Sequence, residues 1–237
     1  MTYLGEGWDS TATLVGGWVE RRPRREEIGP QLVRESVVMP WLAPRLPLPV
    51  PVPEVVSSSP VVVRHELVPG AEVDVLTAAM GRQLGEFLLA LHASSVDEAT
   101  RLGVGRLVLP VERFRAEVRV PGGEELLARL DDLPADTLVH GDLGPEHVLG
   151  AGGALTGVID FGDLHIGDAA IELAWALHST PPEFASALAD TYGVTGELRE
   201  RASVWHRLGP WHEVLHGNDI GDPRVVEVGL AGVMKRL

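Results

Sequence analysis

Residues 138–163, LVHGDLGPEHVLGAGGALTGVIDFGD, hold two aspartates whose order decides how the rest of the chain is read: Asp142 within His140-Gly141-Asp142, and Asp160 within Ile159-Asp160-Phe161-Gly162. Phosphoryl transfer to a hydroxyl needs one carboxylate to orient the acceptor and take up its proton. It needs a second, hard oxygen ligand for the metal that travels on the nucleotide phosphates. One carboxylate cannot serve both purposes. Between the two, GAGGALTG (150–157) suits a tight hairpin turn because glycine tolerates positive φ, and the apolar runs TLVH (137–140) and TGVID (156–160) predict short buried strands. Both aspartates are then expected at strand or loop ends on one side of a cleft. Either tripeptide alone is explained by chance on a turn and a strand edge; together, in this order and at this spacing, they carry weight.

This pattern, HGD at 140–142, a metal-binding side chain five positions after the aspartate, a hydrophobic strand and then Asp160-Phe161-Gly162, resembles the catalytic core of the aminoglycoside phosphotransferase family. The resemblance implies an α+β, protein-kinase-like two-lobed fold: a small β-rich N-lobe over residues 1–70 that binds nucleotide, and a larger, mainly helical C-lobe over 71–237 that carries catalysis and substrate binding. It implies that Asp142 is the catalytic base, with His140 in the same catalytic motif, and that Asp160 is a Mg2+ ligand. Where the family most often has an asparagine that binds the second magnesium, this chain has His147. Magnesium prefers oxygen to imidazole nitrogen, so His147 is expected to act through a water or to hold the second metal less well.

Kinase-like enzymes usually place a lysine on the third strand of the small lobe to hold the α and β phosphates. The only lysine here is Lys235. The substitute is Arg21: ATLVGGWVER (12–21) predicts two short strands around a Gly16-Gly17 turn, and WVERRPRRE is similar to a stretch of the family in which arginine takes the strand position. An arginine there offers a planar fork in place of a point charge. Its expected partner is Glu35, in a helical stretch (30–43) with Pro30 in its first turn and Leu32, Ser36 and Met39 marking one face. The competing reading is that Arg21, Arg22, Arg24 and Arg25 form a solvated basic edge.

Upstream, Gly5 and Gly7 precede a strand, and the strand before them is expected to be short. Glycines would let backbone N–H groups approach phosphates, and Ser10 would donate a further bond; the alternative is a plain hairpin turn. The proline-rich stretch PRLPLPVPVPEVV (44–56) is expected to run extended between helix and sheet, similar to the family's connection into the fourth strand. The strand VVVRHE then ends at Pro69-Gly70, and in a kinase-like fold backbone groups from Glu66 to Val68 would meet the adenine edge.

The 237 residues are 45% hydrophobic with no apolar run near the length of a membrane span, which predicts a soluble chain that does not cross a membrane. MTYLGEGWDS lacks the basic start and apolar core of a secretory signal, so a cytoplasmic location is expected. The absence of cysteine excludes disulfides, thiolate chemistry and cysteine-ligated zinc. A formal charge of −14 argues against a nucleic-acid partner and suits a cationic small-molecule substrate, although acidity also serves solubility. The chain is expected to be a monomer or a weak dimer.

In LTAAMGRQLGEFLLALHA (76–93), Leu76, Met80, Leu84, Phe87, Leu88 and Leu91 recur at helical spacing and predict core; His92 at the helix end is read as a partly charged imidazole favoured by the C-terminus. Residues 94–135 suggest surface helices. Asp168 is read as the N-cap of the helix that follows. Asp163 and Glu172 are candidates to face a cationic substrate, and Trp211, His212, Glu213, Asn218 and Asp219 are candidates for the substrate wall, because aromatic faces and carboxylates suit ammonium groups and sugar rings.

His212-Glu213-Val214-Leu215-His216 also matches HExxH, a zinc-hydrolase signature. No third ligand is evident, and Gly209-Pro210 and Gly217 are expected to leave only about two turns of helix. The reading that unites the chain is an ATP- or GTP-dependent, Mg2+-dependent O-phosphotransferase acting on a small molecule. By resemblance an aminoglycoside comes first; a macrolide, a choline- or homoserine-like metabolite, or a nucleotide-binding pseudoenzyme are the alternatives.

Overall fold

The structure, a computed structural model, describes residues 2–237. Strands β1 (Thr2–Glu6), β2 (Ser10–Val15) and β3 (Trp18–Pro23) form an antiparallel meander. Helix α1 (Gly29–Leu42) follows, and β4 (Glu54–Ser58) and β5 (Val61–Glu66) complete a five-stranded sheet of order β1-β2-β3-β5-β4. The β2–β3 turn is made by Gly16 and Gly17 at φ 59° and 88°, the positive values that a two-residue hairpin turn of matching twist requires. In β3 the period-two alternation buries Val19 and Arg21 on one face.

Helix α1 buries Leu32, Glu35, Val38, Met39 and Leu42. This corrects the expected Leu32, Ser36, Met39 face: the Ser36 hydroxyl turns back to the Val33 carbonyl at 2.7 Å. A carboxylate is normally kept on the polar side of an amphipathic helix, and Glu35 is inside because a cation meets it there. The proline-rich connection does not run extended throughout: it starts in a 3-10 turn at Ala43–Arg45, then leads to β4 with Leu48 and Val50 buried, and the Pro49 carbonyl accepts from the Val158 N–H at 3.0 Å.

The remainder comprises β6 (Ala71–Glu72), α2 (Ala78–His92), α3 (Val96–Arg101), α4 (Val111–Glu117), α5 (Gly123–Ala128), β7 (Thr137–Val139), β8 (Val148–Ala151), β9 (Ala154–Val158), β10 (His165–Gly167), α6 (Ala170–His178), α7 (Pro182–Tyr192), α8 (Gly196–Ile220) and α9 (Pro223–Arg236). Strands β8 and β9 form the hairpin expected around Gly152-Gly153, with β6 on the outer edge of β8. The short strand β7 pairs with β10. In α2, capped by the Thr77 hydroxyl, the predicted Met80, Leu84, Phe87, Leu88 and Leu91 are buried, and Leu76 is half-buried. His92 departs from expectation. Burial lowers its pKa to about 4, and its Nδ1 lies 2.7 Å from the Tyr192 hydroxyl, so the ring is neutral.

Helix α8 is far longer than the two turns expected: it runs unbroken through Gly209-Pro210 and Gly217. Gly217 is a contact residue here, not a breaker. A Cβ on it would lie 2.7 Å from the Val226 backbone nitrogen, so glycine lets α9 pack close enough to support the helix from outside. Among the described residues no helix is long and apolar enough to cross a membrane.

Candidate active site

Pairing of β10 with β7 sets His165 opposite Val139, which brings the segment after β9 alongside the loop that begins at His140. Backbone geometry shapes that loop. Gly141 sits at φ 90°, and a Cβ there would lie 2.5 Å from the Asp163 carbonyl oxygen. His140 is fully buried; its Nε2 donates to the Ile159 carbonyl at 2.9 Å, its Nδ1 accepts from the Asp142 N–H at 3.3 Å, and burial lowers its pKa to about 4. Grouping His140 with the catalytic residues is therefore corrected: it is a neutral strut that ties the two aspartate-bearing segments together and does not reach the cleft.

The Asp142 side chain is 58% exposed. Its carboxyl is pushed up to about 6 by partial burial, with Asp163, Asp160 and Glu146 adding and His147 opposing. Asp160 has φ 63°, the one positive value at a non-glycine position among the described residues. Such backbone is tolerated best by short polar side chains and concentrates where geometry is imposed for function. Asp163, also exposed, is pushed up by burial and by Asp160 and Asp9.

Arg21 reaches this group from the sheet. Its Nη1 donates to Glu35 Oε2 at 2.6 Å, its Nη2 to Asp160 Oδ1 at 3.3 Å, and its Nε to the Ser10 hydroxyl at 3.3 Å. Burial disfavours the guanidinium charge, but Glu35 and Asp160 outweigh it and raise the Arg21 pKa. Burial pushes the Glu35 carboxyl up to about 7 against the pull of Arg21. Arg21 is buried, so the solvated-edge reading does not apply to it; Arg22 and Arg25 do lie on a solvated edge. Two neighbours of Glu35 hold the Asp160 loop: Arg34 Nη2 donates to the Gly162 carbonyl at 2.9 Å, and the Gln31 amide lies against Gly162.

The donor set fits a divalent cation. His147 Nδ1 donates to the Asp142 carbonyl at 2.6 Å, and its Nε2 lies 3.8 Å from Asp160 Oδ2. A ring nitrogen and a carboxylate oxygen converge there. Among the described residues no group of three His, Asp or Glu side chains is arranged to hold a metal ion by itself, so a cation here would complete its shell from phosphates and water, as Mg2+ does in nucleotide sites.

Several candidates stand elsewhere than expected. Glu172 is buried, not on a substrate wall: its Oε1 accepts from the Gly141 N–H at 2.8 Å, and burial pushes its carboxyl up to about 7 against that bond. Trp211 is fully buried, edge-on to Phe114, and is core. Asp219 is exposed but held by both arms of Arg113 at 2.7 and 3.2 Å, and Asn218 donates to Glu117. Glu213 and His212 are exposed on α8. The Gly7 N–H closes a turn on the Ser10 carbonyl and Gly5 pairs with Ala12, so these glycines build a hairpin; the Ser10 hydroxyl accepts from Arg21. At the end of β5, Glu66 is exposed and Val68 is buried against β9.

Asp168, expected as a cap, does bond the Ala170 N–H at 3.0 Å, and it also accepts from Arg201 at 3.2 Å and from the Trp205 indole at 3.0 Å, tying α6 to α8. Sequence reading missed Arg201 and Trp205, which sit more than thirty positions away. The HExxH reading fails on geometry. His212 lies edge-on to Phe114, while His216 stacks flat on Trp8, so each imidazole has an aromatic partner and no zinc set forms.

The family model described as "Phosphotransferase enzyme family" matches residues 1–211. No curated protein sequence matches the chain. Among solved structures, the GDP complex of wild-type aminoglycoside 2'-phosphotransferase-IIIa is similar with a TM-score of 0.85 at 23% identity, covering 99% of this chain and 91% of that one. Macrolide 2'-phosphotransferase MphH from Brachybacterium faecium is similar with a TM-score of 0.77 at 22% identity, covering 98% and 90%. The streptomycin-ATP ternary complex of APH(2")-IIa gives 0.74 at 18%, covering 98% and 90%. These likenesses establish the fold: a kinase-like α+β arrangement of a small antiparallel sheet unit and a larger helical unit.

Proposed function

This chain belongs to the phosphotransferase enzyme family, and we propose that it transfers the γ-phosphate of ATP or GTP to a hydroxyl of a small cationic acceptor, with an aminoglycoside as the first candidate. The observation that carries this reading is the convergence of Arg21, Glu35, Asp160, His147 and Asp142, drawn from β3, α1 and the two loops flanking the β8–β9 hairpin.

Residues 1–70 form the nucleotide lobe and 71–237 the acceptor lobe. Backbone groups of Glu66 to Val68 meet the base. Arg21, fixed by Glu35 and Ser10, turns its Nη2 arm, the one that reaches Asp160, to the phosphates. Asp160 and His147 hold the divalent cation, Mg2+ in the first instance, which when bound neutralises charge on the phosphates. Asp142 orients the acceptor hydroxyl and takes up its proton as the oxygen attacks. A carboxyl already pushed up to about 6 is a better proton acceptor than an ordinary aspartate and is still ionised at neutral pH. Catalysis is then mainly positioning and charge compensation.

The carboxylate of Asp163, exposed near Asp142, favours an acceptor carrying ammonium groups. The relatives named above act on aminoglycosides or macrolides, and phosphorylation of such a drug by this chain would inactivate it. An enzyme drawing on nucleoside triphosphate is placed in the cytoplasm. A pseudoenzyme would have no use for Asp142 beside Asp160.

The test is NTP-dependent phosphate transfer with ATP and GTP across aminoglycosides, macrolides and small amino alcohols, with Asp142→Asn as control. Product on one class that disappears in the variant is expected. Absence of transfer to every acceptor, with nucleotide still bound, would overturn the reading.

A further inference from the structure

The tip of the β1–β2 turn carries Trp8, whose indole lies flat on the His216 imidazole of α8 with ring centroids 3.6 Å apart and planes 4° from parallel. This contact joins the nucleotide-side hairpin to the helix that carries Glu213. The turn itself is pinned from behind: Gly7 N–H to the Ser10 carbonyl at 3.0 Å, Arg24 N–H to the Asp9 carbonyl at 2.9 Å, Arg24 Nη1 to the Gly7 carbonyl at 3.1 Å, and Arg25 to the Asp9 carboxylate at 3.0 Å. The backbone has few ways to move, and the stack fixes the one large side chain it projects. Two residues on from Trp8, the Ser10 hydroxyl accepts from Arg21 Nε at 3.3 Å, and Arg21 Nη2 reaches Asp160 Oδ1 at 3.3 Å, so this turn borders the Arg21–Asp160 group.

Trp8 remains 59% exposed although one face is covered. A large apolar ring that is held in one orientation and left open on its other face is an arrangement for receiving a ligand, because stacking on it costs no further ordering of the protein. On α8, His212 and Glu213 lie one turn before His216 and are also exposed. An exposed carboxylate is thus within one helical turn of the aromatic pair. Trp211, the obvious aromatic candidate, is in the core and leaves this role open.

We infer that Trp8, seated on His216, is a specificity-determining residue for the acceptor: its free face takes the flat side of a saturated ring, and Glu213 takes a ring-borne ammonium group. The inference rests on the phosphotransferase reading and narrows its acceptor class to ring-bearing amines, leaving acyclic amino alcohols as poor substrates.

Steady-state kinetics on Trp8→Ala, Trp8→Phe and His216→Ala test it, with nucleotide and acceptor varied separately. Trp8→Ala is expected to raise the KM of a ring-bearing acceptor about tenfold while the nucleotide KM stays within about twofold, and Trp8→Phe to recover most of the loss. His216→Ala should shift the acceptor KM in the same direction by less, since the indole loses its seat but not its face. Acceptor-induced change in tryptophan fluorescence should be present in the parent protein and much reduced in Trp8→Phe.

If Trp8→Ala raises the nucleotide KM and leaves the acceptor KM alone, Trp8 is part of the nucleotide roof and the inference is overturned, with the phosphotransferase reading intact. It is overturned equally if both KM values are unchanged, or if acyclic acceptors suffer as much as cyclic ones. Failure of the parent protein to phosphorylate any acceptor overturns both.

Discussion

The Arg21 guanidinium lies 2.6 Å from the Glu35 carboxylate, and both side chains are buried. Neither would be stable there alone, since an unpaired buried charge costs several kcal/mol by general estimate. Paired, they form the rigid base from which the second arm of Arg21 reaches Asp160, 3.3 Å away in the loop after β9. The sheet, α1 and the loop after β9 are therefore connected through one side chain.

Replacing Arg21 should act on nucleotide before acceptor. Arg21→Ala is expected to lower kcat/KM for nucleotide by roughly 10²–10³, the usual range for losing one preorganised donor at a transferring group. Arg21→Lys should restore only part of this, because a point charge cannot hold Glu35 and Asp160 together. Equal activity of Lys and Arg at this position would show that the fork is unimportant.

In the proposed reaction Asp142 must be ionised to accept the hydroxyl proton, so acidification populates the inactive form. With its carboxyl pushed up to about 6, kcat/KM for the acceptor should be flat above that pH and fall about tenfold per pH unit below it. A pH profile places the limb. A limb near 4 would mean that Asp142 has an ordinary environment in the working enzyme, and Asp142→Asn should lower kcat by roughly 10²–10⁴ at every pH.

His147 supplies a nitrogen where oxygen suits magnesium best. Calorimetric titration of Co2+ and Mg2+ in the presence of a non-hydrolysable nucleotide should give a Co2+ to Mg2+ affinity ratio that drops about tenfold in His147→Asn. An unchanged ratio would remove His147 from the set of cation ligands.

Glu172 is expected to report through stability. Its folded pKa, pushed up to about 7, exceeds the ordinary 4.5, so the folded state holds the proton more tightly than the unfolded chain does. Stability conferred by that proton is full below about 4.5 and is lost as pH rises to about 7, a change on the order of 3 kcal/mol. Denaturant unfolding of Glu172→Gln should therefore show a flatter profile over that window, with the Gly141 N–H still satisfied by the amide oxygen. Glu172→Ala leaves that N–H without its partner and should cost about 1–3 kcal/mol in addition.

Much of this was legible in the chain. Asp142 and Asp160 are recognisable because the two roles require particular side chains on short segments separated by one hairpin, and the Gly152-Gly153 turn that brings them round is itself written locally. Arg21 stands out because Lys235 is the single lysine and WVERRPRRE is similar to a stretch of the family in which arginine takes the strand position. The core face of α2 follows from its 3.6-residue period.

Other features depend on partners far away in sequence. Trp211, Glu213 and His216 lie within six residues of one another, and nothing in that stretch says that the first faces Phe114, the second solvent and the third Trp8. Which face of α8 turns inward is set by α4, α6 and α9 packed around it. The same support carries the helix past Gly209-Pro210 and Gly217, overriding local propensity. Glu172 looked available for a ligand because carboxylates seldom lie inside; it lies inside because the bent backbone at Gly141 presents an N–H that only a distant acceptor can reach. The sequence by itself pointed to phosphoryl transfer, through the order and spacing of His140-Gly141-Asp142 and Asp160-Phe161-Gly162. Only the tertiary structure decided which polar and aromatic side chains border the cleft, because burial is a property of the packed assembly and not of any one segment.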